Sequence, residues 1–204
     1  MKTPDRSSTD RAKEVFRRHR GILRTGEALR NGIHPRTLYA LRSEGTLVGM
    51  ARGLYRLADL PPLGNPDLAT VALKVPGGVI CLISALAHHE LTTQVPHEVH
   101  LALPQGWKRP HLAHPPLRVF RYDAPSYKEG IEHLKLDGVS VRIYSPEKTL
   151  GDCFKFRNKI GLDVALEALK TYMGRRGRDL RALAHYAKVC RVERVMRPYL
   201  ETLL

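Results

Sequence analysis

Apolar positions in the first sixty residues fall into short groups with different spacings. Ala12, Val15 and Phe16 recur at helical spacing, which predicts a helix from a cap at Thr9 or Asp10 to about Arg20. Arg17, Arg18 and Arg20 sit towards its end, where cations suit the helix dipole, and Gly21 stops it. Thr25 reads as the cap of a second, shorter helix that turns Ala28 and Leu29 inward and ends at Asn31-Gly32. Pro35 opens a third helix, where its missing N–H costs nothing. Leu38 and Leu41, three apart, face the core, and Gly45 ends the helix. Leu47-Val48 and residues 54–57 then pair as a hairpin around Gly49-Met50-Ala51-Arg52-Gly53.

The pattern changes after residue 57. Ala58-Asp59-Leu60-Pro61-Pro62-Leu63-Gly64-Asn65-Pro66 is proline-rich and reads as a linker or stiff boundary. Asn65-Pro66 opens a helix through Ala69, Ala72 and Leu73, ended by Pro76-Gly77-Gly78. Residues 79–82 form a short apolar strand, and Ser84 caps a helix over 85–91. The middle is then rich in strands, at 97–103, 117–122, 131–136 and 139–144, with Asp137-Gly138 as a two-residue hairpin turn. From Ser145 the chain turns helical, with Ser145 as cap, Pro146 first and Glu147 in the first turn of a helix to about Arg157. Helices follow at about 162–173, 179–190 and 192–203. The prediction is an α+β chain. A winged helix-turn-helix at 1–60 precedes a mixed α/β domain at 61–204, β-rich over 79–144, and the chain ends in a helical, bundle-like segment over 145–204.

Charge sharpens this division. The formal net charge is +14, carried by 34 Lys and Arg against 20 Asp and Glu. Residues 1–60 hold 13 basic and 6 acidic side chains (+7), 61–145 hold 8 and 7 (+1), and 146–204 hold 13 and 7 (+6). Two basic ends around a near-neutral middle point to a polyanionic partner. Hydrophobic residues are 43% of the chain, enough for packed cores. Cys81, Cys153 and Cys190 are odd in number and widely spaced, which argues against a disulfide framework or a zinc finger and fits a reducing cytoplasm. Residues 1–11 are polar and no apolar run reaches the roughly 20 residues of a membrane span, so no membrane role is expected.

The third helix carries the most specific chemistry. With Leu38 and Leu41 inward, Arg36, Thr37, Ala40 and Ser43 lie opposite, and Tyr39 and Arg42 lie at the flanks. Arginine can bond a guanine edge in bidentate fashion, and threonine or alanine can touch a thymine methyl, so this face suits a major groove. Arg52 and Arg56 of the hairpin, with Arg24 and Thr25 at the start of the second helix, are placed to meet phosphates. In the C-terminal part, Lys148, Lys155, Arg157 and Lys159 cluster around Asp152 as a possible partner-binding surface. Histidines are dense at His88-His89-Glu90 and His97-Glu98-Val99-His100, but strand and helix periodicity turn neighbours apart, so no metal site is expected. Gly77-Gly78 lacks the G-K-[ST] of a phosphate loop, and Cys153 sits on an apolar helix face. No catalytic residue and no cofactor is assigned.

Three segments stand in order along nearly the whole chain: Arg52-Gly53-Leu54-Tyr55-Arg56-Leu57, which ends the winged helix, Ser84-Ala85-Leu86-Ala87, and Ser145-Pro146-Glu147-Lys148-Thr149-Leu150-Gly151-Asp152 with Phe154-Lys155-Phe156-Arg157. Together they resemble the AbiEi antitoxins of type IV toxin–antitoxin and abortive-infection systems. The resemblance implies a non-enzymatic protein of phage defence. Its winged helix would bind inverted repeats in the promoter of its own operon and repress transcription. Arg36, Thr37, Arg52 and Arg56 would meet that double-stranded DNA, with the protein a monomer in solution or a dimer on DNA. Its C-terminal domain, including 145–157, would counter a nucleotidyltransferase-like toxin, with or without a stable complex. The alternatives are an enzyme acting on the toxin or a nucleic acid through Asp152, and a module that sequesters the toxin.

Overall fold

The computed structural model of the chain describes residues 6–203. They form two compact units, one ending at Pro66 and one beginning at Asp67. The boundary falls beyond residue 60 because the proline-rich stretch is fastened to the first unit. Leu60 packs against its core, and the Arg56 guanidinium donates to the Pro61 carbonyl.

The first unit runs α1 (Arg6–Arg18), β1 (Ile22–Arg24), α2 (Thr25–Arg30), α3 (Pro35–Ser43), β2 (Leu47–Ala51) and β3 (Leu54–Leu57). Its antiparallel sheet has the order β1-β3-β2. Ala12, Phe16, Leu23, Ala28, Ile33, Leu38, Leu41, Leu47, Tyr55 and Leu57 make its core. The expected α1 starts earlier, at Arg6, and stops at Arg18, because Arg20 and Gly21 take φ of 58° and 78°. The Gly21 N–H then bonds the Phe16 carbonyl at 2.7 Å. β1 escapes a periodicity reading because three residues are too few to show one. Thr25 is the first helical residue of α2 and not its cap; the capping position is Arg24, whose N–H donates to the Glu27 carboxylate at 2.8 Å. Leu29 is 41% exposed, against expectation, since a helix of under two turns points only Ala28 into the core.

The hairpin is longer than expected. β2 reaches Ala51, with a bulge between Gly49 and Ala51 where Met50 drops out of register. Its turn is fixed to the rest of the unit by the Thr25 N–H, which donates to the Gly53 carbonyl at 3.0 Å.

The second unit continues with α4 (Pro66–Lys74), β4 (Val79–Ile80), α5 (Leu82–His88), β5 (Val99–Pro104), β6 (Leu117–Tyr122), α6 (Ala124–Lys128), β7 (Ile131–Leu136), β8 (Val139–Tyr144), α7 (Pro146–Lys155), α8 (Arg157–Ile160), α9 (Leu162–Met173), α10 (Leu180–Val189) and α11 (Glu193–Glu201). Its sheet has the order β6-β5-β4-β8-β7. The β5–β6 and β4–β8 pairs are parallel, and β4–β5 and β7–β8 are antiparallel. Asp137 and Gly138 close the last hairpin at φ of 50° and 81°, the two positive angles a type I′ turn needs. Ser145 caps α7, its Oγ accepting the Lys148 N–H at 3.2 Å. Ser84 does not cap α5. The helix starts earlier, at Leu82, and Ser84 is buried with its Oγ accepting the His100 N–H at 2.9 Å. α7 packs against α5, α9 and α10, so every residue from Lys148 to Phe154 is buried.

Candidate nucleic-acid interface

α3 is held by its ends and by one face. His34 occupies its cap, with Nδ1 accepting the Arg36 N–H at 3.2 Å, and Pro35 fills the first turn. Thr37, Leu38 and Leu41 are its buried residues. At about 100° per residue, Arg36, Tyr39 and Ser43 project opposite that arc, with Arg42 on one flank and half-buried Ala40 on the other. Two sequence expectations change here. Thr37, expected on the reading face, is only 6% exposed, because α1 packs on α3 and covers it. Tyr39, expected at a flank, is 56% exposed and stands in the middle of the outward face.

Beside this face lies a cleft of about 510 Å³ between α3 and the hairpin, lined by Tyr39, Arg42, Thr25, Arg52, Gly53 and Tyr55 among others. The Arg42 guanidinium carbon lies 5.9 Å from the centre of the Tyr55 ring, a cation–π distance that orients the charge along the cleft wall. Arg52, exposed at the turn, lines the cleft from the hairpin side. Gly53 takes φ of 68°, and a Cβ there would sit 3.1 Å from the Thr25 hydroxyl, so the turn and α2 meet at glycine's own clearance. Tyr55 was not singled out from sequence; its alternation with Leu54 and Leu57 marks it only as a strand residue.

The remaining residues of the expected DNA surface are placed differently. Arg24 and Thr25 are half-buried. The Arg56 guanidinium donates to the carbonyls of Leu57, at 3.4 Å, and Pro61, which makes it a brace for the chain after β3. Ser43 returns its hydroxyl to the Ala40 carbonyl at 2.9 Å.

The basic cluster expected around Asp152 is not a surface. Lys148 and Asp152 are 0% exposed, with Nζ 2.7 Å from each carboxylate oxygen. The ammonium also faces the rings of Tyr144 and Tyr122, 4.2 and 5.0 Å from their centres. Cys190 Sγ donates to Asp152 Oδ1 at 3.1 Å. The cause is the position of α7, surrounded by other helices; the i, i+4 spacing that would pair these charges on an exposed helix pairs them in the core. Burial pushes the Asp152 carboxyl up from its ordinary range, and the Lys148 ammonium opposes that push. Lys155 bonds Ser126 at 3.3 Å and Asp123 at 3.4 Å, and Arg157 donates to the Phe154 carbonyl at 2.8 Å. Lys159 alone of the five is exposed.

The three cysteines are buried, and burial pushes each thiol up, the opposite of what a nucleophilic thiolate requires. Among the described residues no three His, Cys, Asp or Glu side chains converge as metal ligands. Among them, too, no helix is long and apolar enough to cross a membrane. Buried His100 is pushed down to about 4 by desolvation, with Glu98 3.6 Å away opposing.

Comparison with known proteins bears on the first unit most directly. Residues 10–58 match the family described as transcriptional regulator, AbiEi antitoxin. The matched stretch holds α3, the hairpin and all the residues of the cleft. No curated protein matches the chain. Among solved structures, the RV2827C protein from Mycobacterium tuberculosis is similar at a TM-score of 0.56 and 15% identity, over 98% of this chain and 83% of that one. At that identity the likeness is one of fold.

Proposed function

We propose that this chain is a DNA-binding antitoxin that represses transcription of its own operon. The observation that carries the reading is the outward face of α3, Arg36, Tyr39 and Ser43, set beside a cleft walled by Arg42 and Arg52. α3 enters the major groove of inverted repeats in the promoter, and Arg36 and Tyr39 meet base edges. Arg42 and Arg52 hold the phosphate backbone that runs between helix and hairpin. The match of residues 10–58 to AbiEi regulators supports the same reading. Thr37 and Arg56 take structural parts in it.

The second unit, in this reading, counters a nucleotidyltransferase-like toxin without catalysis of its own. Asp152, through which the alternative enzyme reading would act, is sealed with Lys148 and reaches no substrate. A gel shift with the intergenic DNA upstream of the gene, at physiological salt, tests the proposal. A discrete complex that survives an excess of unrelated duplex is expected. Equal affinity for unrelated duplex removes the repressor reading.

A further inference from the structure

We propose that the second unit carries a separate site for single-stranded RNA, centred on Trp107. Trp107 is the chain's only tryptophan and is 51% exposed. It lies in the loop between β5 and β6, and its seat is built. The Gln105 N–H bonds the Tyr122 carbonyl at 2.9 Å, and the Trp107 N–H bonds the Pro104 carbonyl at 3.4 Å. Gly106 turns between them at φ of 82°. The far edge of the indole rests on Gly77, where a Cβ would come within 2.5 Å of the ring. Gly77 is itself fixed, its carbonyl accepting from Arg142 at 3.0 Å and from the Tyr127 hydroxyl. The indole is therefore a braced platform facing solvent, and no loose side chain.

The β5–β6 segment that carries the platform is basic between Glu98 and Asp123. From residue 99 to residue 122 the chain holds Lys108, Arg109, Arg118 and Arg121 and not one Asp or Glu. That run lies inside the segment whose overall charge is nearly balanced, so the surplus is local. Arg118 is partly engaged, 3.6 Å from Glu98 and bonded to the Lys159 carbonyl at 2.9 Å. Arg109 and Arg121 are exposed, and each guanidinium is anchored by a bond to a carbonyl, Leu117 and Pro104 respectively, both at 3.3 Å. One bond steadies the planar fork, and its other donors can take phosphate oxygens. Leu117 and Pro104 lie at opposite ends of the β5–β6 pairing, about 16 Å apart at the usual strand rise. A strand a few nucleotides long spans that distance.

An aromatic face flanked by anchored cations stacks bases of any sequence while neutralising the backbone. A duplex keeps its bases stacked on each other and offers the indole nothing. The platform takes unpaired bases, and RNA loops and ends present them, so RNA is the occupant proposed. This site is independent of the α3 reading, and no residue is shared.

Because Trp107 is the only tryptophan, its emission reports the site directly. The full chain is titrated with a short oligouridylate, the matching oligothymidylate, and a duplex of equal length. We expect saturable quenching by oligouridylate and none by duplex. Binding of end-labelled oligouridylate, followed by anisotropy, weakens about tenfold in Trp107→Leu and less in Trp107→Phe, which keeps a ring on Gly77. Arg109→Ala with Arg121→Ala lowers the slope of log K against log salt by roughly 1.4, two single-strand phosphate contacts. Arg36→Ala leaves oligouridylate binding unchanged. Four results each overturn the site: no quenching at saturating RNA, unaltered affinity in Trp107→Leu, preference for oligothymidylate, or loss of RNA binding in Arg36→Ala.

Discussion

Replacing Lys148 by Met removes one half of an ion pair that no water reaches. At 2.7 Å and an effective dielectric near 20, the attraction between the two charges is about 6 kcal/mol. The desolvation of both groups offsets most of it, so the pair itself is a small net contributor. The single variant is different, because it strands Asp152 at 0% exposure. The carboxyl then has one good recourse, to take up a proton. From an ordinary value of 3.8, protonation at pH 7 costs about 1.4 kcal/mol per pH unit, or roughly 4 kcal/mol in all. That agrees with the roughly 3–5 kcal/mol measured when other buried pairs lose one partner. The loss is also expected to depend on pH. The folded variant holds a proton that the unfolded chain releases, so its stability rises as pH falls from 7 towards 4. Urea unfolding at pH 7 and pH 5, read by tryptophan emission, measures both effects, because Trp107 lies in the same unit as the pair. The double variant Lys148→Met with Asp152→Leu should recover most of the loss. A single variant within 1 kcal/mol of the parent, or one whose deficit is the same at both pH values, refutes the reasoning.

Arg36→Ala is expected to cost about 1–3 kcal/mol of operator binding and to relax specificity, whereas Arg52→Ala should weaken all duplexes alike; indistinguishable gel-shift profiles would reverse the assignment of helix and hairpin. Gly21→Ala should lower the thermal midpoint of the first unit, since the new Cβ meets the Leu60 side chain on a backbone with φ of 78°; an unchanged melt would mean that Leu60 swings aside freely. His100 contributes to acid sensitivity. Its folded value is about 4 against an ordinary 6.5, so the unfolded chain binds the proton more strongly, and stability falls as pH drops through that window. The loss approaches about 3 kcal/mol at pH 4, and His100→Gln should flatten this part of the urea-midpoint profile.

Local rules recovered the elements that are long or sharply punctuated. Pro35 and Pro146 opened helices where they stand, Asp137-Gly138 turned the hairpin, and β6, β7 and β8 have the expected limits. Short elements escaped, β1 and α6 above all, because three to five residues carry no period. Burial set by a partner element also escaped. Thr37 has the chemistry of a base reader, and only the crossing of α1 over α3 decides that it faces inward. The same blindness made Lys148 and Asp152 look like surface charge. A charged pair at i, i+4 has one spelling whether a helix lies on the outside of a protein or in the middle of it.

The burial of α7 changes what its sequence can be used for. Ser145-Pro146-Glu147-Lys148-Thr149-Leu150-Gly151-Asp152 is the most recognisable string in the second half of the chain, yet from Lys148 onward its side chains are buried among one another, the helices around them and the sheet. A chain that carries the string advertises its architecture, and two chains that share it are free to differ in every molecule they touch. The proposed functions rest on residues elsewhere: Arg36, Tyr39 and Ser43 in one unit, and Trp107 in the other.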